Sequence, residues 1–402
     1  MLEIPRKVKS LIDRGAIVPS PFSLEIDEEV DLDRISCKGL KIHAGCRVLG
    51  KDTVISKGCE IGAEGPVTIE NCQIGKNVKL KGGYFKNSVF LDKSSAGAGA
   101  HVREACILEE ESSIAHAVGL KQTILFPFVT LGSLINFCDA LLSGGTSRKD
   151  HTEVGSSYIH FNYTPNADKA TASLLGDVPR GVMLDRQRIF LGGQGGLVGP
   201  AKIEFGVVVA AGYVQRGDLP EPGKLVIPRT PKSGVMSFSP GMYPNWKRIF
   251  ERNVEYIANI HALAQWYSHA RRIFLTSEDQ MEELVLNGAA GVMESGIRER
   301  VRRFGDFLEK LAADKKQGPG DVHDLYAKKD GLLMYLSSPD NVESVGEKQR
   351  DEFLKSLLVH HSDNYLESIK GLTDLQKKKG TDWLQSITDK IKYDALSLAF
   401  EG

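Results

Sequence analysis

The sequence predicts a left-handed parallel β-helix followed by an α-helical C-terminal domain. Three observations carry that expectation. Leu191, Leu197, Ile203 and Val209 recur six apart within LGGQGGLVGPAKIEFGVVVAAG. Glycine is dense between residues 39 and 235 and sparse afterwards. Beyond that boundary Ile249, Phe250, Val254, Ile257, Ile260 and Leu263 recur at the spacing of one helix face.

A period of six fits neither a helix at 3.6 nor an amphipathic strand at 2. It fits short strands that each form one side of a prism, with one aliphatic residue per side pointing to the axis. Tight corners then call for residues that accept positive φ, chiefly Gly and Asn. A β-sandwich of short strands is the competing reading, and the unbroken run over 191–209 favours the β-helix.

The elements follow in order. Residues 1–30 read as a lead-in with a short helix, and residues 31–232 as the β-helix. In its first part Ile42, Leu49, Ile55 and Ile61 keep the beat, and Ile74 and Leu80 resume it after an extra residue near Pro66. Compact residues stand four places later: Cys46, Thr53, Cys59, Gly65 and Val78. Between 85 and 190 the beat weakens. KNSVFLDKSSAGAGAH and GTSRKDH there read as inserted loops. Residues 233–402 read as the helical domain, joined through the linker TPKSGVMSFSPGMYPNW, with breaks at KQGPGD and LSSPDN.

Charge narrows the function. Lys plus Arg is 51 and Asp plus Glu is 52, a net charge of -1, so neither nucleic acid nor an anionic membrane is an expected partner. No apolar run approaches the ~20 residues that span a bilayer. The N-terminal MLEIPRKVKSLIDRG lacks the apolar core of a signal peptide, so the expected location is the cytoplasm. Six cysteines without a C-x-x-C pair suit buried thiols in a reducing compartment.

Candidate chemistry concentrates between Ser133 and Lys232. This stretch holds HTEVGSSYIHFNYTPNADK, then LLGD, the six-spaced run ending in AAG, and IPRTPK. That order resembles the C-terminal acetyltransferase domain of the bacterial bifunctional N-acetylglucosamine-1-phosphate uridyltransferase/glucosamine-1-phosphate acetyltransferases. The resemblance implies acetyl-CoA as cosubstrate, a sugar phosphate or nucleotide sugar as partner, and a homotrimer with sites between neighbouring subunits. It places Asn162 and Tyr163 beside the acceptor sugar and acetyl group, and Lys169 against the sugar phosphate. Gly193 and Ala211 fall along the CoA arm, and Arg229 faces a CoA phosphate. No metal is implied.

Departures from the pattern are as informative. Ser133 stands where the family has its catalytic histidine, and Asn136 replaces a nearby tyrosine. Acetyl transfer to an amine needs a base for the departing proton, and a neutral serine cannot serve as one. His160, two residues before Asn162 and so on the same side of a strand, and His151, in the inserted loop, are the candidate bases. Nothing here matches the family's L-x-x-G-x-G-T-R-M uridyltransferase signature, and the helical domain has no family counterpart. GGQGG does not open a helix, so it is no dinucleotide fingerprint. His151 and His160 could supply two of the three histidines of a β-helix zinc enzyme, but the close histidine pair expected there is missing. Two functions follow: a hexapeptide-type acyltransferase, or a non-catalytic sugar-phosphate or nucleotide-sugar binding or scaffold protein on the same fold.

Overall fold

The computed structural model describes residues 3–227, 234, 235, 237, 242–275, 280–313, 321–338, 340, 342–360, 362 and 364–400. The linker expected after residue 229 falls largely outside them, as does Arg229.

The chain winds into a left-handed parallel β-helix with three faces. One coil shows the path. Lys41–Ile42 lies on the first face, Arg47–Leu49 on the second and Val54–Ile55 on the third. Glu60–Ile61 then returns to the first face, paired in parallel with Lys41–Ile42. The first face is a ten-stranded sheet. The second and third join in one sheet because Gly119–Leu125 and Asn136–Leu142 run unbroken across the corner between them.

The six-residue beat marks the axis. Ile42, Ile55, Ile61, Ile74, Leu80, Leu191, Leu197, Ile203 and Val209 are all buried. Leu49 departs from it. Val48 points inward, aligned with Ile26 and Ile69, while Leu49 lies half-buried beside Glu70 at the strand's end. Alternation within the strand overrides the count. Cys46, Thr53, Cys59 and Val78 are buried, whereas Gly65 lies in the corner widened around Pro66.

One expected insertion is a regular coil. Residues 86–101 contribute the strands Ser88–Phe90 and Ser95–Ala96 and the start of Ala100–Val102. Their aliphatic signal fails because Ala96 and Ala100 take inward positions, while Phe85 and Phe90, packed edge to face at 5.5 Å, fill the volume. GTSRKDH does leave the coil, as an antiparallel hairpin of Gly145–Ser147 with Asp150–His151.

Nine helices occur among the described residues. Helix α1 (Arg6–Asp13) buries Val8 and Leu11. Helix α2 (Val178–Gly181) sits in an excursion from the coil. Then follow α3 (Trp246–His269), α4 (Gln280–Ala312), α5 (Asp321–Ala327), α6 (Lys329–Ser337), α7 (Glu347–Val359), α8 (Tyr365–Gly371) and α9 (Asp374–Phe400). Helix α3 packs between α4 and α9, with Phe250 against Phe304 and Trp266 against Trp383. Helix α4 lies along the third face, over the strands Val54–Ile55, Gln73–Ile74, Ser88–Phe90 and Cys106–Leu108. Its Gly288 lets the helix approach closely, since a Cβ there would meet the Gln73 side chain at 2.4 Å and displace it. Two ion pairs join the two parts: the buried Arg271 to the partly buried Glu110 at 2.6 Å, and Arg300 to Asp139, both buried, at 2.8 Å. No helix of the described residues is long and apolar enough to cross a membrane.

Candidate functional site

The corner between the first and second faces stacks equivalent residues coil upon coil. After the aligned positions Ile114, Leu131, Val154, Leu191 and Val209 come His116, Ser133, Ser156, Gly193 and Ala211. The next residue turns the chain: Ala117, Leu134, Ser157 and Gln194 hold φ of 54°, 58°, 61° and 51°, with Gly212 at 76°. This column therefore unites Gly193, Ala211 and Ser133. Its foot is polar. The Ser133 hydroxyl lies 2.7 Å from His116 Nδ1, and the Ser133 N–H donates to Ser156 Oγ at 3.1 Å. Its upper part carries no side chain beyond the Ala211 methyl. The coils stack closely there: a Cβ on Gly192 would meet the Ala211 backbone N at 2.3 Å.

The far edge of the second face holds Asn162, Tyr163 and Lys169. They sit in an excursion that follows the strand Tyr158–Phe161. Tyr163 is 63% exposed. Asn162 donates to Asp139 Oδ2 at 3.1 Å, and Asp139 is held by Arg300 of α4. The helical region fixes this excursion elsewhere too. Arg300 donates to the Lys169 carbonyl at 3.2 Å, Asn253 to that of Ala170 at 3.0 Å, and Tyr243 to the Asp168 carboxylate at 2.9 Å. Lys310 donates to the carbonyls of Asn166 and Ala167.

Three cations lie on the same edge, one of them, Lys121, 3.5 Å from a Glu104 carboxylate oxygen. Burial and the adjacent Asp139 push the Cys138 thiol up in pKa, and Arg103, Lys121 and Lys169 act against them. Lys121 is aligned with Cys138 across neighbouring strands, and Arg103 stands in the same register one coil below. Arg103 and Lys121 escaped the sequence reading. Their signal was a separation of 18 residues, one coil of three six-residue sides. His116, 17 residues before Ser133, carried the same signal.

Neither nominated histidine is free at either edge. His160 is buried, with Nδ1 on the Cys138 carbonyl, Nε2 2.9 Å from Ser173 Oγ and its ring stacked on Phe137. Alternation on the strand brings it into the interior while Ile159 and Phe161 face out. Burial lowers its pKa, and contacts with Cys138 and Asp139 oppose that only in part. His151 is half-buried in the hairpin, at the corner between the third and first faces, apart from both edges. Burial and then Arg148 lower its pKa. The two histidines are not brought together, and no group of three or more His, Cys, Asp or Glu among the described residues could hold a metal ion.

The chain is a parallel β-helix protein followed by a helical region, and over half of its length its sequence is similar to one group of curated proteins. The chain is 28% identical over 215 residues to bifunctional protein GlmU of Thermotoga sp. RQ2, a match covering 54% of this chain and 43% of that one. Bifunctional protein GlmU of Thermotoga maritima is 27% identical over 217 residues, and that of Thermotoga petrophila 27% over 215, with the same coverage. The chain thus spans less than half the length of these relatives. No family model matches it.

Proposed function

We propose that the protein is an acyltransferase that moves an acetyl group from acetyl-CoA to a sugar phosphate or nucleotide sugar. The carrying observation is the pairing of a bare corner with a polar foot on one edge of the second face and three cations on the other. From Ser133 to Ala211 the corner rises three coils, about 14 Å at ~4.8 Å per strand spacing. An extended CoA arm can lie along that length with its thioester at Ser133; Arg229, which the family resemblance assigns to a CoA phosphate, lies outside the described residues. On the far edge Arg103, Lys121 and Lys169 suit a phosphate, which is bound strongly by converging charged donors. Asn162 and Tyr163 supply polar and stacking contacts for the sugar.

The two edges of one chain are six residues apart along the strand, from Ser156 to Asn162, or about 20 Å at ~3.3 Å per residue. A reaction therefore calls for a neighbouring copy, and a homotrimer with its second faces turned inward brings the edges together. Exposed Ile159, Phe161 and Val214 on that face suit such contact. Six free cysteines, five of them buried, suit a reducing cytoplasm.

The test is thiol release from acetyl-CoA, with glucosamine-1-phosphate and its uridine nucleotide sugar offered as acceptors. Release that depends on an acceptor and weakens in Lys121→Ala supports the reading. A second reading, a non-catalytic sugar-phosphate or nucleotide-sugar binding or scaffold protein, draws on Ser133 at the family's histidine position and on the sealed His160. It predicts acceptor binding without thiol release.

A further inference from the structure

We propose that Ser133 is itself an acyl-accepting nucleophile, with His116 as its base. The inference rests on the reading that a thioester lies along this corner. A hydroxyl is a weak nucleophile until an adjacent base removes its proton, and hydrogen-bond reach between the two is the diagnostic geometry. Ser133 Oγ and His116 Nδ1 are 2.7 Å apart. The coil fixes the two backbone positions that carry this pair. The Leu134 N–H donates to the His116 carbonyl at 3.1 Å, the Ser157 N–H to the Ser133 carbonyl at 2.8 Å, and the Ser133 N–H to Ser156 Oγ. Ser133 is thus pinned from the coils below and above, with its hydroxyl directed at the imidazole. His116 is exposed, so the pair opens to solvent and to a ligand on the corner.

The coil above supplies a donor. Ser133's own N–H is capped by the Ser156 hydroxyl, but the residue above Ser156 is Gly193, which has no side chain to repeat that cap. No group among the described residues accepts from the Ser156 N–H. A backbone N–H fixed at such a corner can stabilise the oxyanion that develops as a carbonyl is attacked.

The step balances. Ser133 Oγ forms a bond to the thioester carbonyl carbon, and its proton passes to His116 Nδ1. The carbon–sulfur bond breaks, and the departing thiolate takes the proton from His116. An acyl ester on Ser133 remains. An amine or hydroxyl acceptor then attacks the ester carbon, and the Ser133 oxygen leaves and regains a proton through His116. The acceptor's own proton replaces the one lost, so His116 ends neutral.

Full-length protein is incubated separately with p-nitrophenyl acetate and with acetyl-CoA, then analysed by intact mass and peptide mapping. The expected result is one acetyl group on the peptide containing Ser133, absent in Ser133→Ala. His116→Ala should slow acylation about a hundredfold or more, and added imidazole should restore part of the rate. Both positions lie at the surface, and thermal melts that match the wild type exclude misfolding as the cause. Acetylation by p-nitrophenyl acetate but not by acetyl-CoA keeps the nucleophile and removes the proposed donor. The inference is overturned if neither reagent labels Ser133, or if His116→Ala labels at the wild-type rate.

Discussion

The two edges of the second face are built by opposite means. The corner His116–Ser133–Ser156–Gly193–Ala211 is made by coil stacking, each residue fixed by the backbone of the coil beside it. The edge around Asn162 and Lys169 is made by distant parts of the chain, with Arg300, Asn253, Tyr243 and Lys310 all reaching in from the helical part. The first edge is rigid because its alternative is breaking the β-helix. The second depends on a buried ion pair whose charges were taken out of water. The helical part is therefore more than a cap: it sets the excursion proposed to meet the sugar phosphate.

The comparison can be broken most strongly at Arg300. Arg300→Met leaves Asp139 buried and uncompensated, and should cost about 3–5 kcal/mol in denaturant unfolding. Pairing it with Asp139→Leu should recover much of that loss while leaving Asn162 without its acceptor. Equal destabilisation of single and double variants would show that the ion pair does not hold this edge. Lys121→Ala should next weaken binding of glucosamine-1-phosphate by about 1.5–3 kcal/mol, the range of a charge-assisted hydrogen bond. Calorimetry would read this as a rise in Kd with no change in acetyl-CoA affinity; an equal loss for both ligands would merge the edges into one site.

Gly192→Ala tests the corner. Its methyl would collide with the Ala211 backbone, and overpacking of this kind costs about 1–3 kcal/mol. A melting temperature equal to the wild type would mean that the coils can spread. The smallest effect concerns pH. Burial keeps His160 neutral, with a pKa below the ordinary 6.5. The unfolded chain takes up a proton there and the folded chain does not, so the stability tied to this group is full above that value and declines as pH falls. Between about pH 7 and 5 the wild type should lose more stability than His160→Gln. Parallel slopes would place His160 in contact with water.

Part of each edge was legible in the sequence: Ser133, Gly193 and Ala211 at the corner, and Asn162, Tyr163 and Lys169 on the other edge. The run from Leu191 to Val209 marked the axis because one large aliphatic per side is what a prism interior needs. The same rule misled at 86–101, where alanines take the inward positions and two phenylalanines supply the volume. It misled at Leu49 because a six-residue count cannot see which neighbour the strand turns inward. His160 was read two residues from Asn162 and placed with it, yet Asn162 has already left the strand and His160 has not. Arg103, Lys121 and His116 were missed because coils lie 17 or 18 residues apart, a separation that helix and strand periods do not test. Arg300 gave no local signal. A single arginine on an amphipathic helix reads as surface until the fold sets it against Asp139.

The most direct test of the central claim is calorimetric titration of acetyl-CoA into the wild type and into Ala211→Trp. Ala211 is exposed at the bare corner, so an indole there blocks the CoA arm and leaves the coil intact. The account predicts heat with the wild type, its loss in Ala211→Trp, and unchanged melting of the variant. No heat with the wild type, or equal heat with the variant, would contradict it.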